Sequence, residues 1–107
     1  MESRNSPTAD VLVVAHEVAA IVRRATRDPH YRVFLFGSHA AGDAGPRSDI
    51  DIGIEGPAPV DGQTMQEIRE ACERLPTLRT IDLVDFARSG REFRLAVARL
   101  PLEPNVT

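Results

Sequence analysis

The sequence predicts an α/β (α+β) fold in which a small mixed β-sheet is flanked by helices. Three segments repeat apolar residues at helical spacing, and three short apolar or alternating runs have the pattern of strands. The order helix, strand, strand, helix, strand, helix is typical of a sheet covered by helices. Because 107 residues suffice for one hydrophobic core, we expect a single domain over residues 1–107, with its core at about residues 8–100.

The first helix is predicted to begin at Ser6-Pro7, an N-cap followed by a first-turn proline, and to end at Asp28-Pro29. We interpret the arginines on its polar face as solvated and not as a phosphate clamp. Its apolar stripe consists of Val11, Val14, Ala15, Val18, Ile21, Val22 and Ala25.

Two strands follow this helix. Arg32–Phe36 is almost continuously apolar, which predicts burial on both faces, whereas Asp49–Glu55 alternates apolar and polar residues. Between them we expect a short helix or tight turn over Ser38–Gly42 and then a loop rich in Gly and Pro. We expect the face of the sheet that carries the acidic residues of the second strand to be open for a ligand.

The second half of the chain is predicted to add a helix, a strand and a last helix. The first of these helices starts at Asp61, has a capping box at Thr64–Glu67 and buries Cys72 in the core. The third strand lies within Leu78–Phe86. A second capping box at Ser89–Glu92 opens the last helix. The apolar stripe of that helix is Phe93, Ala96, Val97 and Leu100, and Pro101 and Pro104 close it.

The composition limits the classes of partner and site. The formal net charge is −3 and the thirteen basic residues, all arginine, form no cluster, so we expect no direct nucleic-acid footprint. A single cysteine excludes an intramolecular disulfide and a cysteine-based zinc cluster. The sequence has no leader pattern and no long apolar span, so we expect a cytoplasmic protein without a membrane segment.

Paired carboxylates and a Gly-Ser turn make residues 33–55 the most informative stretch. On the second strand Asp49 and Asp51 share one face, about 7 Å apart. Adjacent like charges favour binding of a hard cation such as Mg²⁺. Gly37 lets a phosphate approach the backbone, and the Ser38 hydroxyl with nearby N–H groups can bind its oxygens. The sequence therefore predicts that a metal ion and a phosphate meet here.

Gly37-Ser38, then Gly42, then Ser48-Asp49-Ile50-Asp51 resemble the signature of the nucleotidyltransferase superfamily related to DNA polymerase β. Within it the chain is most similar to the minimal nucleotidyltransferases (MNT), often paired with HEPN-domain toxins. The spacing of eleven residues from Ser38 to Asp49 and the alternating acidic strand make this combination far more specific than either motif alone.

The resemblance implies an enzyme that binds two Mg²⁺ ions and uses ATP, with Asp49 and Asp51 holding both metals and the Gly37-Ser38 turn holding the pyrophosphate. It also requires a third carboxylate, which Asp82 supplies. We expect an acidic residue flanked by apolar ones on a strand to need a partner or a metal. Ser48 belongs to the nucleotide-binding motif. Arg47 either reaches the triphosphate or is simply solvated.

As a function, the resemblance implies transfer of AMP from ATP to a hydroxyl of a HEPN-domain toxin, by the antitoxin of a HEPN/MNT toxin-antitoxin pair. The alternatives are an antitoxin that neutralises its partner by binding alone and a small-molecule nucleotidyltransferase. Many MNT relatives have arginine where this chain has Ala41, which favours the binding-only alternative. His39 could partly substitute for that arginine, but we interpret it as a partly exposed bystander. An aspartyl phosphatase and an EF-hand are excluded, because the residues around the Asp pair do not match either pattern.

Overall fold

A four-stranded mixed sheet organises residues 7–102, the part of the chain that this computed structural model describes. The strands are β1 (Arg32–Phe36), β2 (Ile50–Glu55), β3 (Ile81–Asp85) and β4 (Arg99–Pro101). The helices are α1 (Ala9–Thr26), α2 (Ser38–Ala41), α3 (Gly62–Glu73) and α4 (Arg91–Ala96), with a 3₁₀ turn over Phe86–Arg88. The predicted fold class, a small mixed sheet flanked by helices, is confirmed.

The strands lie in the order β3-β2-β1-β4. β1 is antiparallel to both β2 and β4, and β2 is parallel to β3. The parallel pair requires a crossover, which α3 provides between the two strands. Among residues 7–102, no helix is long and apolar enough to cross a membrane.

The core lies between one face of the sheet and the helices α1 and α3. Helix α1 buries its predicted stripe almost completely, and the three isoleucines of β2 are fully buried. Val33–Phe36 is buried throughout, which confirms the prediction for β1. Cys72 is also buried in this core. Ser6, the predicted cap of α1, lies outside the described residues, and Thr8 occupies the N-cap position.

The capping boxes predicted in the second half are wrong in detail. The predicted start of α3 at Asp61 is confirmed, because the Asp61 side chain caps the helix by accepting a hydrogen bond from the backbone N–H of Thr64 at 2.8 Å. The predicted box at Thr64–Glu67 therefore lies inside the helix. At α4, Gly90 takes the N-cap position without a side-chain hydrogen bond. Both errors arose because Ser or Thr with a following Glu is only one of several ways to cap a helix.

The predicted last helix is too long. α4 ends at Ala96, and Leu100 lies instead in β4, which pairs with the edge of β1. Pairing satisfies backbone groups of β1 that would otherwise remain at an open sheet edge. Pro101 is tolerated because β4 is itself an edge strand, where one missing N–H donor is not needed by a neighbour. Pro104 lies outside the described residues.

Candidate functional site

The turn after β1 brings the backbone of Gly37 against a carboxylate of β2. Gly37 has φ +73° and ψ −144°, a conformation that essentially only glycine adopts. A β-carbon added there would lie 2.5 Å from Oδ2 of Asp51. Glycine is therefore required twice at this position, once for the backbone angles and once for the space that Asp51 occupies.

The sheet register places four polar or aromatic residues in one row across the sheet. Asp82 pairs with Asp51 in the parallel ladder, Asp51 with Phe36 in the antiparallel ladder, and Phe36 with Arg99. Directly paired residues share a face of a sheet, so two carboxylates, a phenyl ring and a guanidinium originate side by side. We call these four residues the site row. It crosses the sheet at the end where Gly37 turns the chain.

The carboxylates of the site repel each other. Burial raises the pKa of the Asp51 carboxyl above its ordinary value, and the nearby charges of Asp82 and then Asp49 raise it further. His39 acts in the opposite direction. Asp49 and Asp82 are exposed, whereas Asp51 is partly buried. The sequence argument that Asp82 needs a partner because its strand is apolar therefore fails, since water reaches this side chain.

The acidic residue Asp85 on β3 belongs to a different part of the molecule. Its buried carboxylate accepts hydrogen bonds from the backbone N–H groups of Val60, at 2.8 Å, and Ala87, at 3.1 Å. These bonds fix the loop before α3 and the turn after β3. Asp85 is thus structural, while Asp82, three residues earlier, lies in the site row.

His39 is buried, with only 5% of its surface exposed. Its Nε2 atom has no hydrogen-bond partner among residues 7–102. The expectation of a partly exposed bystander is therefore wrong: α2 directs this side chain into the protein close enough for its charge to act on Asp51. A buried polar atom without a partner is costly, which makes His39 a feature that requires a functional or structural explanation.

The loop before β2 positions the remaining predicted residues. The Ser48 hydroxyl accepts a hydrogen bond from the backbone N–H of Gly45 at 2.9 Å, so this side chain shapes the loop. Arg47 is exposed in the same loop. Asp49 follows directly and precedes the first residue of β2.

Two cavities flank the site, and Arg79 lines both. One, of about 400 Å³, lies between α3 and the start of β3 and includes Arg69 and Asp82 in its wall. The other, of about 300 Å³, includes His39 and part of the loop before β2. Arg79 donates a hydrogen bond to the backbone carbonyl of Ser48 at 3.4 Å. Sequence reasoning missed Arg79, because no motif marks an isolated arginine ahead of a strand.

The face that carries the acidic residues is open only in part. Phe34, Phe36 and Phe86 form a second small hydrophobic cluster on it, with Phe93 against two of these rings. A side chain at Gly53 would overlap Phe34 and Phe86, so this glycine makes room for the cluster. The expectation of an open face therefore needs correction: the aromatic cluster covers the β1 side of this face, from Phe34 to Phe36 in the site row.

The sequence profile of the Nucleotidyltransferase domain family matches residues 10–96. The chain belongs to the nucleotidyltransferase domain family. It is 30% identical over 91 residues to the probable protein adenylyltransferase MntA of Haemophilus influenzae, with 83% of this chain and 80% of that protein covered. The family resemblance predicted from Gly37-Ser38 and the Asp pair is confirmed, and so is the prediction that the protein is an enzyme of the nucleotidyltransferase class.

Solved structures share the fold of this nucleotidyltransferase. One is a toxin-antitoxin complex with AMP-PNP, whose matching chain is 21% identical with a TM-score of 0.59, covering 84% of this chain and 73% of that one. Another is a tri-AMPylated Shewanella oneidensis HEPN toxin in complex with its MNT antitoxin. Its matching chain is 19% identical with a TM-score of 0.57, covering 89% and 73%.

The acidic residues of the candidate site suit a hard cation. Within residues 7–102, no three His, Cys, Asp or Glu side chains already form a metal cage. Mg²⁺ does not need one, because it keeps several water ligands and is usually bound by one or two carboxylates together with substrate phosphates. Burial and the charges of Asp82 and Asp49 raise the pKa of Asp51, so a bound cation would stabilise the ionised form of this carboxylate most.

Proposed function

We propose that this protein is an Mg²⁺-dependent nucleotidyltransferase that transfers AMP from ATP to a hydroxyl of a protein partner. The observation that carries the proposal is the contact between the Gly37 turn and Asp51, with Asp82 beside Asp51 in register. This arrangement supports the proposal, because a turn that could bind phosphate lies beside carboxylates that could bind a cation.

Nucleotidyl transfer is an in-line displacement at the α-phosphorus. The acceptor oxygen forms a new bond to phosphorus, the bond to pyrophosphate breaks, and the acceptor loses its proton. Bound Mg²⁺, two ions in our proposal, would supply neutralisation of the phosphate oxygens and acidification of the acceptor hydroxyl. Asp49 and Asp51 would hold both ions.

The other residues take roles on either side of Asp51. The Gly37 backbone and the Ser38 hydroxyl would hold the leaving pyrophosphate. Asp82, at the β3 edge, would bind the acceptor-side ion and accept the proton of the attacking hydroxyl. Its exposure supports this role, because a protein acceptor has to reach it from outside. Arg47 and Ser48 stay candidate nucleotide contacts, with solvation of Arg47 and loop shaping by Ser48 as their alternatives.

We further propose that the acceptor is a HEPN-domain toxin and that this protein is its antitoxin. The support is the similarity to a probable protein adenylyltransferase and the shared fold with an MNT antitoxin solved with its AMPylated HEPN toxin. The test is the intact mass of the cognate HEPN protein after incubation with this protein, ATP and Mg²⁺. A gain of one or more AMP units with the wild type and none with Asp51→Asn is the expected result.

The second candidate is an antitoxin that acts by binding alone. Ala41, where many MNT relatives have arginine, is the feature that favours it. In the same experiment, a stable complex with no gain of mass would support masking and overturn adenylylation. A variant lacking both Asp49 and Asp51 that still protects cells fully would lead to the same conclusion.

A further inference from the structure

The aromatic residues of this chain are few, and one of them is accessible beside the site. The chain has one tyrosine, four phenylalanines and no tryptophan, and all five rings lie within the described residues. Phe34, Phe36 and Phe86 are buried. The Tyr31 hydroxyl donates a hydrogen bond to the Ala58 carbonyl, beyond the end of the sheet opposite Gly37. Phe93 remains, with 41% of its surface exposed.

Phe93 lies next to the site row. Its ring centroid is 5.9 Å from that of Phe36, at an interplanar angle of 89°. Phe36 is paired directly with Asp51, which in an antiparallel ladder places the two Cα atoms about 5 Å apart. The Phe36 side chain therefore separates the Phe93 ring from the Asp51 backbone, over about 15 Å at most. That separation matches the reach of a nucleoside whose phosphates contact the carboxylates.

The position of Phe93 also fits the part of the site that the acceptor and the pyrophosphate would leave free for the base. Asp82 and the larger cavity occupy the β3 side of Asp51, where the acceptor would approach, and no aromatic residue lines that cavity. In the proposed function the Gly37 turn holds the pyrophosphate. The side of Asp51 that faces β1 carries Phe36 and, behind it, Phe93.

We propose that Phe93, supported by Phe36, is the surface on which the base of the nucleoside triphosphate stacks. The inference rests on the proposed function and adds to it the residue that recognises the nucleoside. The rings of Phe36 and Phe86 hold Phe93 in place through edge and tilted contacts, and 41% of its surface stays exposed. Stacking on a phenyl ring binds any flat base and favours the larger purines.

The test compares a ligand with a base and a ligand without one. Binding of ATP and of inorganic tripolyphosphate, each with Mg²⁺, is measured by calorimetry for the wild type and Phe93→Ala. We expect the Kd for ATP to rise about 5- to 150-fold, the range for loss of one stacked base, while the Kd for tripolyphosphate changes less than about twofold.

Three further variants separate stacking from packing. Phe93→Tyr keeps the ring and should bind ATP as the wild type does. Phe93→Leu keeps apolar packing but loses the flat ring, and should bind ATP about as poorly as Phe93→Ala. Leu95→Ala, on the same helix at 72% exposure, is the matched control and should change neither ligand.

The outcomes distinguish failure of base stacking on Phe93 from failure of the proposed function. An equal loss of ATP and tripolyphosphate affinity in Phe93→Leu, or unchanged ATP affinity, would overturn base stacking and leave the proposed function intact. Wild-type protein that binds neither ligand in the presence of Mg²⁺ would overturn the proposed function itself.

Discussion

The two faces of β2 show how one short strand serves both stability and chemistry. On one face Ile50, Ile52 and Ile54 are fully buried against α1 and α3. On the other face Asp51 stands partly buried among like charges, beside the turn at Gly37. The core face stabilises the folded state by removing apolar surface from water, whereas the site face destabilises it by bringing carboxylates together.

This difference indicates that the acidic residues of the site, unlike Asp85, do not hold the fold together. Packing of the core face fixes the order and register of the strands. That register then sets the geometry of the site face. Substitutions on the two faces should therefore separate stability from binding. Three substitutions test the separation, from the largest expected change in stability to the smallest.

Truncation on the core face should have the largest effect. Ile52→Ala should lower the free energy of unfolding by about 2 to 5 kcal/mol, because it removes buried methyl groups and leaves a cavity. Chemical denaturation measures this change, with Val13→Ala, at 58% exposure on α1, as the control. A loss below about 1 kcal/mol would contradict the assignment of β2 to the centre of the core.

A side chain at the turn should harm both stability and binding. Gly37→Ala should cost about 1 to 3 kcal/mol, because alanine does not adopt this backbone conformation without strain. Its β-carbon would also displace the Asp51 carboxylate, so ATP binding should fall sharply. The matched control is Gly45→Ala, since a β-carbon there meets nothing within 4 Å. Equal behaviour of the two variants would refute the requirement for glycine at the turn.

Removal of the Asp51 charge should slightly stabilise the protein in the absence of metal. The folded-state pKa of Asp51 is raised above its ordinary value of 3.8, so its ionised form costs stability above the folded pKa. The cost fades as pH falls toward 3.8, because the carboxyl becomes protonated in both states.

Asp51→Asn should therefore unfold at a higher temperature than the wild type at pH 7. The gain should stay below about 1 kcal/mol, since solvent screens this partly exposed group. Thermal unfolding across pH measures the difference, which should shrink toward zero near pH 4 and below. A variant less stable than the wild type at pH 7 would mean that Asp51 has a stabilising partner.

The fold was predictable wherever a pattern repeated. The stripe of α1, the apolar run of β1 and the alternation in β2 each extend over enough residues to identify an element. β4 was not predictable, because a three-residue edge strand containing Pro101 has no period and exists through pairing with β1. The apolar residues that predicted a helix through Leu100 have helical spacing by chance, because the segment is short.

The candidate site was predictable as a set of residues but not as an arrangement. Gly37 and the Asp pair share one stretch of sequence, so spacing alone linked them. Asp82, Phe36 and Arg99 join the site row only through strand pairing, which a single sequence does not encode locally. The burial of His39 follows from how α2 packs, and nothing in its neighbours indicated it.

The central claim is that the carboxylates beside the Gly37 turn bind the cation and phosphates of a nucleoside triphosphate. Calorimetric titration of ATP in the presence of Mg²⁺ tests it most directly, with the wild type, Asp51→Asn and the charge-matched control Glu67→Gln on the exposed face of α3. We predict that Asp51→Asn weakens binding about tenfold or more while Glu67→Gln binds as the wild type does. Equal affinity of Asp51→Asn and the wild type for ATP with Mg²⁺ would contradict the account.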